Sequence, residues 1–406
     1  MISYLKKYLF YIFFIPLVTV VLFFLILLKR VILIRFGEIE TRAVGHFGLP
    51  IEIYLSEQDL GINKCKVKHY DIWIKNKTVA NKLLLIKWEK YLNIYPHYLK
   101  PIWIFIRKYK FLHDFLIPFR HWRDFGLKWP NIGSQHLDIY GVLEKTKCHI
   151  LFSQEEKLRT SQFFLHNKID KKFIIFFARD SAYREDELKI KYNEAEFRNS
   201  PIEDQSEAIK NMCNNYKCIR MGAKQKYELK IKNNNFIDYS FSKYRSELND
   251  LYLLSKSFFI VSTGSGFDQM GIMFRTPVVL VNAVENEYRY NPLYNSPIKL
   301  YIPKKIFSTE LNRNLTFSEI FKIGAHNLDL MKKYKEKNLK TINNSPKEIL
   351  DVVLEMEKRL NNEWIETKED IDLQKEYWKV NNFDQMPKSN CRIGCNFLKS
   401  NLNLLK

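Results

Sequence analysis

The stretch that decides the fold is Phe258–Asn282, with the sequence FFIVSTGSGFDQMGIMFRTPVVLVN. An apolar, β-prone run ends in a turn of small residues, a short helical pattern follows, and Pro277 opens a second apolar run. Continuous apolar runs of this kind are typical of buried parallel strands joined by a helix. The stretch therefore predicts a strand–helix–strand unit of an α/β sheet.

The turn inside this unit carries two glycines and three hydroxyl side chains, namely Ser262, Thr263, Gly264, Ser265 and Gly266. Glycine lets a ligand approach the backbone closely, and the first turn of a helix presents N–H groups to an anion. We therefore expect this turn to bind a phosphate-sized group.

A dinucleotide is one alternative for that ligand. Gly264 and Gly266 fit the first two glycines of a dinucleotide-binding fingerprint, and Glu285 lies near the offset expected for a ribose-binding acid. However, Gln269 stands where the third glycine is expected, and the predicted helix is short. An NAD(P)-dependent oxidoreductase is therefore the weaker alternative.

Residues 171–282 as a whole alternate between strand and helix patterns. Apolar runs start at Lys171 and Cys218, a third strand is expected after Asn233, and a helix is expected over about 204–216. Ser246 is placed to cap a further helix that leads into the opening stretch. The order β-α-β-β-α-β-α-β predicts a doubly wound parallel sheet.

Two further loops follow predicted strands of this sheet, namely Arg179-Asp180-Ser181-Ala182-Tyr183 and Arg220-Met221-Gly222. Ligands of open α/β sheets bind outside the carboxyl ends of the strands, and the rigid fork of arginine suits phosphate oxygens. Together with the 262–266 turn, we expect a diphosphate to be bound by Arg179, Tyr183, Arg220 and Gly222. The alternative is that both arginines pair with nearby acids at an ordinary surface.

The N-terminal half contains two candidate catalytic residues. His46, in a glycine-flanked loop after a first strand at 31–36, is a candidate general base because an unperturbed imidazole titrates near neutral pH. The alternative for His46 is a hydrogen bond to a loop carbonyl. Glu52 is a second candidate, as a base or as an acceptor-binding group. The other elements expected in this half are strands at 51–55, 67–74, 102–106 and 150–152 and a helix at 80–91.

Residues Tyr8–Leu28 form an uninterrupted uncharged run with a basic pair on each side. The run is long enough to span a hydrocarbon core of ~30 Å. No small-residue cleavage site follows it, so an uncleaved membrane anchor is favoured over a signal peptide. A single span with a cytoplasmic body and a monotopic hairpin kinked near Pro16 both remain open.

The 406-residue chain has 65 basic and 45 acidic residues, and its formal net charge of +20 is spread along the sequence. Neither zinc-finger spacing nor an aromatic RNA-binding signature accompanies this charge, which argues against nucleic acid as a partner. Beside a membrane anchor, the partner that fits is a surface of anionic lipids. The six cysteines show no zinc-ligand spacing, so reduced thiols are expected.

Other motifs of phosphate and metal chemistry are missing from the sequence. No Gly-Lys-Ser/Thr follows the glycines, and Ser265 lacks the frame of a hydrolase nucleophile elbow. The only Asp-x-Asp, Asp370-Ile371-Asp372, lies in a polar helical stretch rather than after a buried strand. The sequence therefore predicts neither a metal site nor a bound cofactor.

The ordered motifs are Arg35-Phe36-Gly37 with Gly45-His46-Phe47, then Arg179-Asp180-Ser181 with Tyr183, then Arg220-Met221-Gly222 and the 262–266 turn. In this order they resemble a bacterial family described as glycosyltransferases and linked to surface-polysaccharide synthesis. The resemblance covers about residues 31–360, and Arg392-Ile393-Gly394 resembles the family's ending. The apparent full membrane anchor is a departure from the family.

The resemblance implies a GT-B-type architecture, in which two Rossmann-like α/β domains enclose the active site in a cleft. The implied parts are a membrane anchor, an N-terminal acceptor domain, a nucleotide-sugar-binding domain and a helical tail that packs back on the body, at residues 1–30, 31–168, 169–330 and 331–406. The body would be cytoplasmic, at the inner membrane.

The implied activity is metal-independent transfer of a sugar from a nucleotide-sugar donor to a glycan or lipid-linked acceptor. His46 would act as the base, with Asp180 as second candidate, while the cationic loops stabilise the leaving diphosphate. From a different functional class, the alternative is a non-catalytic membrane protein that binds a nucleotide or glycan at the same edge.

Overall fold

The structure is a computed structural model that describes residues 16, 18–62, 64–119, 138, 140–182, 185, 196–284, 299–325, 331–380 and 391–406. The chain divides into two compact units, Met1–Gln135 and His136–Lys406. The sequence had placed this boundary at residue 168. Residues 136–168 therefore belong to the second unit, including a helix at Gln154–His166 that opens with a capping box from Ser153.

The first unit contains a three-stranded parallel sheet in the order β1-β2-β3. Its strands are β1 Leu33–Ile39, β2 His69–Lys75 and β3 Ile94–Tyr95. Its helices are α1 at 18–28, α2 Val44–Asp59, α3 Lys82–Trp88 and α4 Lys100–Lys108. The predicted first strand, the strand at 67–74 and the helix at 80–91 are thus confirmed.

The predicted loop at 45–48 and strand at 51–55 are wrong, because both lie within helix α2. The parallel pairing of β1 with β2 requires a crossover connection, and α2 supplies it. Residues 47–57 of this helix are all buried, so its apolar run resembles a buried strand in sequence. The predicted strand at 102–106 is also wrong, since it lies in α4, and residues 150–152 belong to no strand.

Among the residues that the structure describes, no helix has the length and hydropathy needed to cross a membrane. Of the predicted span Tyr8–Leu28, residues 8–15 and 17 lie outside the described part of the chain. The predicted membrane-spanning helix is therefore not supported.

The second unit is built on a seven-stranded parallel sheet in the order β13-β9-β8-β7-β4-β5-β6. Its strands are β4 Phe173–Phe176, β5 Lys217–Arg220, β6 Phe236–Asp238, β7 Phe259–Ser262, β8 Val278–Ala283, β9 Lys299–Pro303 and β13 Cys391–Ile393. The strands predicted within 171–282 are confirmed. β9 and β13 were not predicted.

Strand order reverses at β4. The chain runs from β4 outward through β5 and β6, then returns to pair β7 with the opposite side of β4. Because such crossovers are right-handed, the helices on the two sides of this reversal cover opposite faces of the sheet. The carboxyl ends of β4 and β7 therefore form a topological switch point, where ligands of open α/β sheets bind.

The remaining elements of the second unit surround this sheet. A small antiparallel sheet has the order β11-β10-β12, with β10 Lys305–Ser308, β11 Arg313–Asn314 and β12 Leu339–Ile342. The helices are α5 Val142–Lys145, α6 Gln154–His166, α7 Ser206–Met212, α8 Glu247–Lys256, α9 Gly266–Met273, α10 Phe317–Lys322, α11 Met331–Glu336, α12 Pro346–Leu360, α13 Lys368–Val380 and α14 Cys395–Ser400. The predicted helices at 204–216 and after Ser246 are confirmed, and the Ser246 side chain caps α8.

Gly271 allows helix α9 to pack closely on strand β7. A Cβ atom at this position would lie 2.3 Å from Cδ1 of Ile260, a fully buried residue of β7. In dinucleotide folds the third glycine of the fingerprint has this packing role. Gly271 has this packing role two residues after position 269, where the fingerprint places its third glycine.

We predict that Gly271→Ala lowers the free energy of unfolding by about 1–3 kcal/mol, because the added methyl overpacks the contact with β7. Ile260→Val alone removes the clashing Cδ1 atom and costs about 0.5–1.5 kcal/mol. The loss of unfolding free energy in the double variant is expected to be smaller than the sum of the losses in the two single variants. Denaturant unfolding of all four proteins measures this, and strictly additive losses would contradict the proposed contact.

Candidate functional site

A cavity of about 320 Å³ opens at the carboxyl ends of β4 and β5 in the second unit. Three chain segments line it: residues 178–181 after β4, residues 196 and 199–202 before α7, and residues 220 and 225–227 after β5. Two of the three loops that the sequence analysis singled out therefore meet in one cavity.

The third loop, the 262–266 turn, contacts the same region through the side chain of Thr263. The backbone N–H of Arg179 donates to Oγ1 of Thr263 at 2.9 Å, across the switch point between β4 and β7. The rings of Phe177 and Phe267 stack beside this bond at 4.5 Å. The structure thus brings together the strand ends that were predicted to share one edge.

Two buried hydroxyl groups in the cavity wall have no hydrogen-bond partner among the described residues. They belong to Ser181 and Ser200, whose side chains are 5% and 4% exposed. Leaving a buried donor unsatisfied costs about 1–3 kcal/mol.

Arg179 lines the cavity between these hydroxyls and the switch point. Arg179 is half-buried. Its backbone N–H donates to Thr263 Oγ1, and its carbonyl accepts from the backbone N–H of Ser200 at 3.0 Å. The backbone is therefore fixed from two sides, which positions a permanently charged guanidinium in the cavity wall.

Asp180 braces two of the lining loops. Its Oδ1 accepts from the backbone N–H of Ala182 at 3.0 Å, and its Oδ2 accepts from the backbone N–H of Lys226 at 2.9 Å. Since both carboxylate oxygens hold backbone groups, the geometry gives Asp180 a positioning role. Its catalytic role stays a prediction. Tyr183, the last predicted residue of this loop, lies outside the described residues.

Arg220 is bound by the protein itself. Its side chain is 1% exposed, and its guanidinium donates to Asp238 Oδ2 at 2.8 Å, to the carbonyl of Tyr227 at 2.8 Å and to Gln225 Oε1 at 3.0 Å. Burial raises the pKa of Asp238, and the charge of Arg220 partly offsets this rise. The alternative reading of Arg220, pairing with an acid, therefore describes the structure, and the acid is Asp238.

Gly222 shapes the loop that closes over Arg220. Its φ of +154° lies in the region that favours glycine, and a Cβ atom there would lie 2.4 Å from Nε2 of Gln225. A larger residue would displace Gln225 from the guanidinium. Gly222 thus acts on the loop conformation, and a direct contact with a ligand stays a prediction.

Asp268, in the first turn of helix α9, accepts hydrogen bonds from the 262–266 turn. The Asp268 carboxylate accepts from the hydroxyl of Ser262 at 3.0 Å and from the backbone N–H of Ser265. Ser262 and Thr263 are fully buried, and burial raises the pKa of Asp268. The chain's own carboxylate therefore occupies the place that sequence analysis assigned to a phosphate. Direct ligand binding by this turn, including Gly264 and Gly266, stays a prediction.

The two candidates of the first unit both lie in helix α2. His46 is half-buried in the first turn of the helix, just after strand β1, whereas Glu52 is fully buried. Sequence analysis missed a neighbouring polar group at the carboxyl end of β1. There the buried carboxylate of Glu38 accepts from Asn76 Nδ2 at 3.1 Å and forms an ion pair with Lys100.

The buried side chain of Lys304 holds one of the segments that line the cavity. Its Nζ donates to the carbonyls of Phe197 and Asn199 at 2.9 and 2.8 Å and so holds the segment that carries Ser200. Burial lowers the pKa of Lys304 to about 8; Asp204 opposes this shift and Arg179 adds to it. The residue follows β9, a strand that the sequence did not reveal, so the strand-end argument could not find it.

We predict that Arg220→Met lowers the free energy of unfolding by about 3–5 kcal/mol, because it leaves the buried Asp238 carboxylate uncompensated. Adding Asp238→Asn removes that charge and keeps an acceptor for the Leu229 N–H, so part of the loss is recovered. Denaturant unfolding tests both variants. A stable Arg220→Met protein that fails to bind its ligand would instead make Arg220 a ligand-binding residue.

The pKa of Lys304 predicts a pH dependence of stability. Between about pH 8 and 10.5 the unfolded chain keeps a proton that the folded chain has released. Wild-type stability should therefore rise with pH in this window relative to Lys304→Met, by about 3 kcal/mol at most. Unfolding free energies of both proteins from pH 6 to 10.5 measure the difference. Parallel curves would contradict the lowered pKa.

Comparison with known proteins gives little further guidance. No protein-family model and no curated protein matches the chain. A solved structure described as the glycosyl transferase family 9 protein from Veillonella parvula DSM 2008 is similar to it with a TM-score of 0.44 and 12% sequence identity. The similarity covers 82% of this chain and 98% of that chain. A likeness of this degree does not identify a function.

Proposed function

We propose that the chain is a glycosyltransferase that binds a nucleotide-sugar donor in the cavity of its second unit. The observation that supports this most directly is the pair of buried hydroxyls, Ser181 and Ser200, which line the cavity with Arg179 and have no hydrogen-bond partner in the described part of the chain. A diphosphate offers acceptor oxygens to these two hydroxyls and a negative charge to the Arg179 guanidinium. The cavity also lies beside the switch point of the sheet, where such ligands bind.

The motifs that carry the sequence resemblance point to sugar transfer rather than to another use of a nucleotide. Residues of the Arg179-Asp180-Ser181 motif line the cavity, and so does Arg220 of the next motif. Asp180 joins the two loops through its bond to Lys226. Residues that stand about forty positions apart in the sequence thus serve one site, as a shared ligand requires.

In the proposed reaction an acceptor hydroxyl attacks the anomeric carbon of the donor sugar. The bond from that carbon to the diphosphate oxygen breaks, and the nucleoside diphosphate leaves. Arg179 and the serine hydroxyls stabilise the charge that develops on the leaving group. The acceptor proton passes to a base, for which His46 of the first unit is the candidate.

The setting of this reaction follows the sequence expectations. We place the enzyme in a GT-B-type class, with the first unit receiving a glycan or lipid-linked acceptor. Its product would be a bacterial surface polysaccharide, made at the cytoplasmic side of the inner membrane. Leaving-group stabilisation by protein cations is consistent with metal-independent transfer.

We predict that one class among UDP-, GDP-, CMP- and dTDP-sugars raises the melting temperature of the full chain and is turned over with release of nucleotide. Each hydroxyl bond to a charged phosphate contributes about 1.5–3 kcal/mol, so Ser181→Ala and Ser200→Ala should each weaken binding about tenfold to hundredfold. Arg179→Ala should abolish turnover. The matched control is Ser255→Ala, a serine on α8 outside the cavity lining.

The outcomes separate the competing functions. Binding without turnover would favour the non-catalytic nucleotide- or glycan-binding protein. Stabilisation by NAD(P) but by none of the nucleotide-sugars would favour the oxidoreductase. Serine variants that bind a nucleotide-sugar as tightly as the wild type would remove the cavity from the proposal.

A further inference from the structure

Helix α1, at residues 18–28, is seated on the first unit by one face. Val18, Leu22 and Leu25 are buried, and their spacing of four and three places them on one stripe of the helix. They pack into a core cluster with residues of β1, β2, α4 and the following turn, namely Phe36, Ile74, Trp103, Ile106, Leu112 and Phe115. The helix is therefore packed against the rest of the first unit from Val18 to Leu25.

The opposite face of α1 is apolar and exposed. Val20, Phe24, Leu27 and Val31 follow a second stripe about half a turn from the buried one, and each is more than half exposed. Phe23, Ile26 and Leu28 widen this face. Soluble proteins rarely expose so large a contiguous apolar surface, and such surfaces mark interaction sites. We call these seven residues the α1 face.

Basic side chains directly follow helix α1 and recur in the turn that packs on its buried stripe. Lys29 and Arg30 end the helix, and Lys29 contacts Asp114 and lies over the Phe115 ring at 5.8 Å. The turn that carries these partners also contains the exposed Phe111 and Lys110, directly after Lys108 at the end of α4. No acidic residue occurs between positions 18 and 31.

We propose that the α1 face lies on an anionic lipid bilayer, with the helix axis in the plane of the membrane. The exposed stripe would enter the boundary between headgroups and acyl chains, while the basic residues contact lipid phosphates. Charge favours this occupant over protein, because Lys29 and Arg30 follow the helix, residues 18–31 contain no acidic side chain, and Asp114 is an ion-pair partner of Lys29. Since α1 is packed on the body along its buried stripe, the first unit itself would rest on the lipid surface. This attachment does not depend on the proposed sugar transfer.

The test measures the depth of single labels in the full chain reconstituted into bilayers. Native cysteines are replaced by serine, and one nitroxide is attached at Val20→Cys, Phe24→Cys, Leu27→Cys or Val31→Cys. The expected result is one shallow depth at all four sites, because they share a stripe. Leu151→Cys and Leu158→Cys, which are similarly exposed in the second unit, are the controls and should contact water.

Each other result overturns the proposal. A depth that increases steadily from position 31 to position 20 would mean that the helix crosses the bilayer. Labels shielded from both lipid and water would mean that protein, either a second copy or another segment of this chain, covers the face. Labels that contact only water would mean that the face is not used in membranes.

A second arm tests the lipid charge by flotation with vesicles of phosphatidylglycerol and phosphatidylcholine. Arg30→Gln, Lys108→Gln and Lys110→Gln together should weaken binding to the anionic vesicles about a hundredfold, at about fivefold for each cation. The matched control removes three exposed lysines of the second unit, Lys332, Lys335 and Lys337, in the same way. Equal losses in the two triple variants, or equal binding to neutral vesicles, would overturn the role of anionic lipid.

Discussion

The reversal of strand order at β4 is the constraint on which the candidate site depends. Parallel strands that spread from one centre in two directions leave a gap between the loops at their carboxyl ends. The backbone groups in this gap cannot all pair within the sheet, so the N–H of Arg179 bonds to the side chain of Thr263 instead. That bond and the bond from the Ser200 N–H to the Arg179 carbonyl hold the arginine backbone in the cavity wall from two sides.

Burial then separates the polar groups of this edge into two sets. Arg220 and Asp238 form an ion pair, Asp268 accepts hydrogen bonds from Ser262 and Ser265, and Lys304 holds the segment before α7. A buried charge is tolerated only with such partners, so these contacts hold the loops that line the cavity. Within the part of the chain that the structure describes, the buried hydroxyls of Ser181 and Ser200 have no hydrogen-bond partner, and the proposed function assigns them to the ligand.

Much of the sheet could be predicted from the sequence, because its central strands are short apolar runs that end at glycine, serine or arginine. The partners of the polar residues could not be predicted. Asp238 lies 18 positions from Arg220 and ends another strand, so only the pairing of β5 with β6 brings the two together. Helix α2 was misread for a different reason. It is buried on nearly all sides, and its sequence therefore lacks the periodicity that separates a helix from a strand.

The same comparison of groups with their partners explains the proposals for both units. In the second unit the unmatched groups are hydroxyls in a cationic cavity, and the chemistry that completes them is that of a phosphate ester. In the first unit the unmatched surface is apolar with a cationic rim, and the chemistry that completes it is that of an anionic bilayer. The net charge of +20 alone would suit either partner. The positions of the uncharged groups beside the cations distinguish them, since hydroxyls accompany the charge in one unit and phenyl and alkyl groups accompany it in the other.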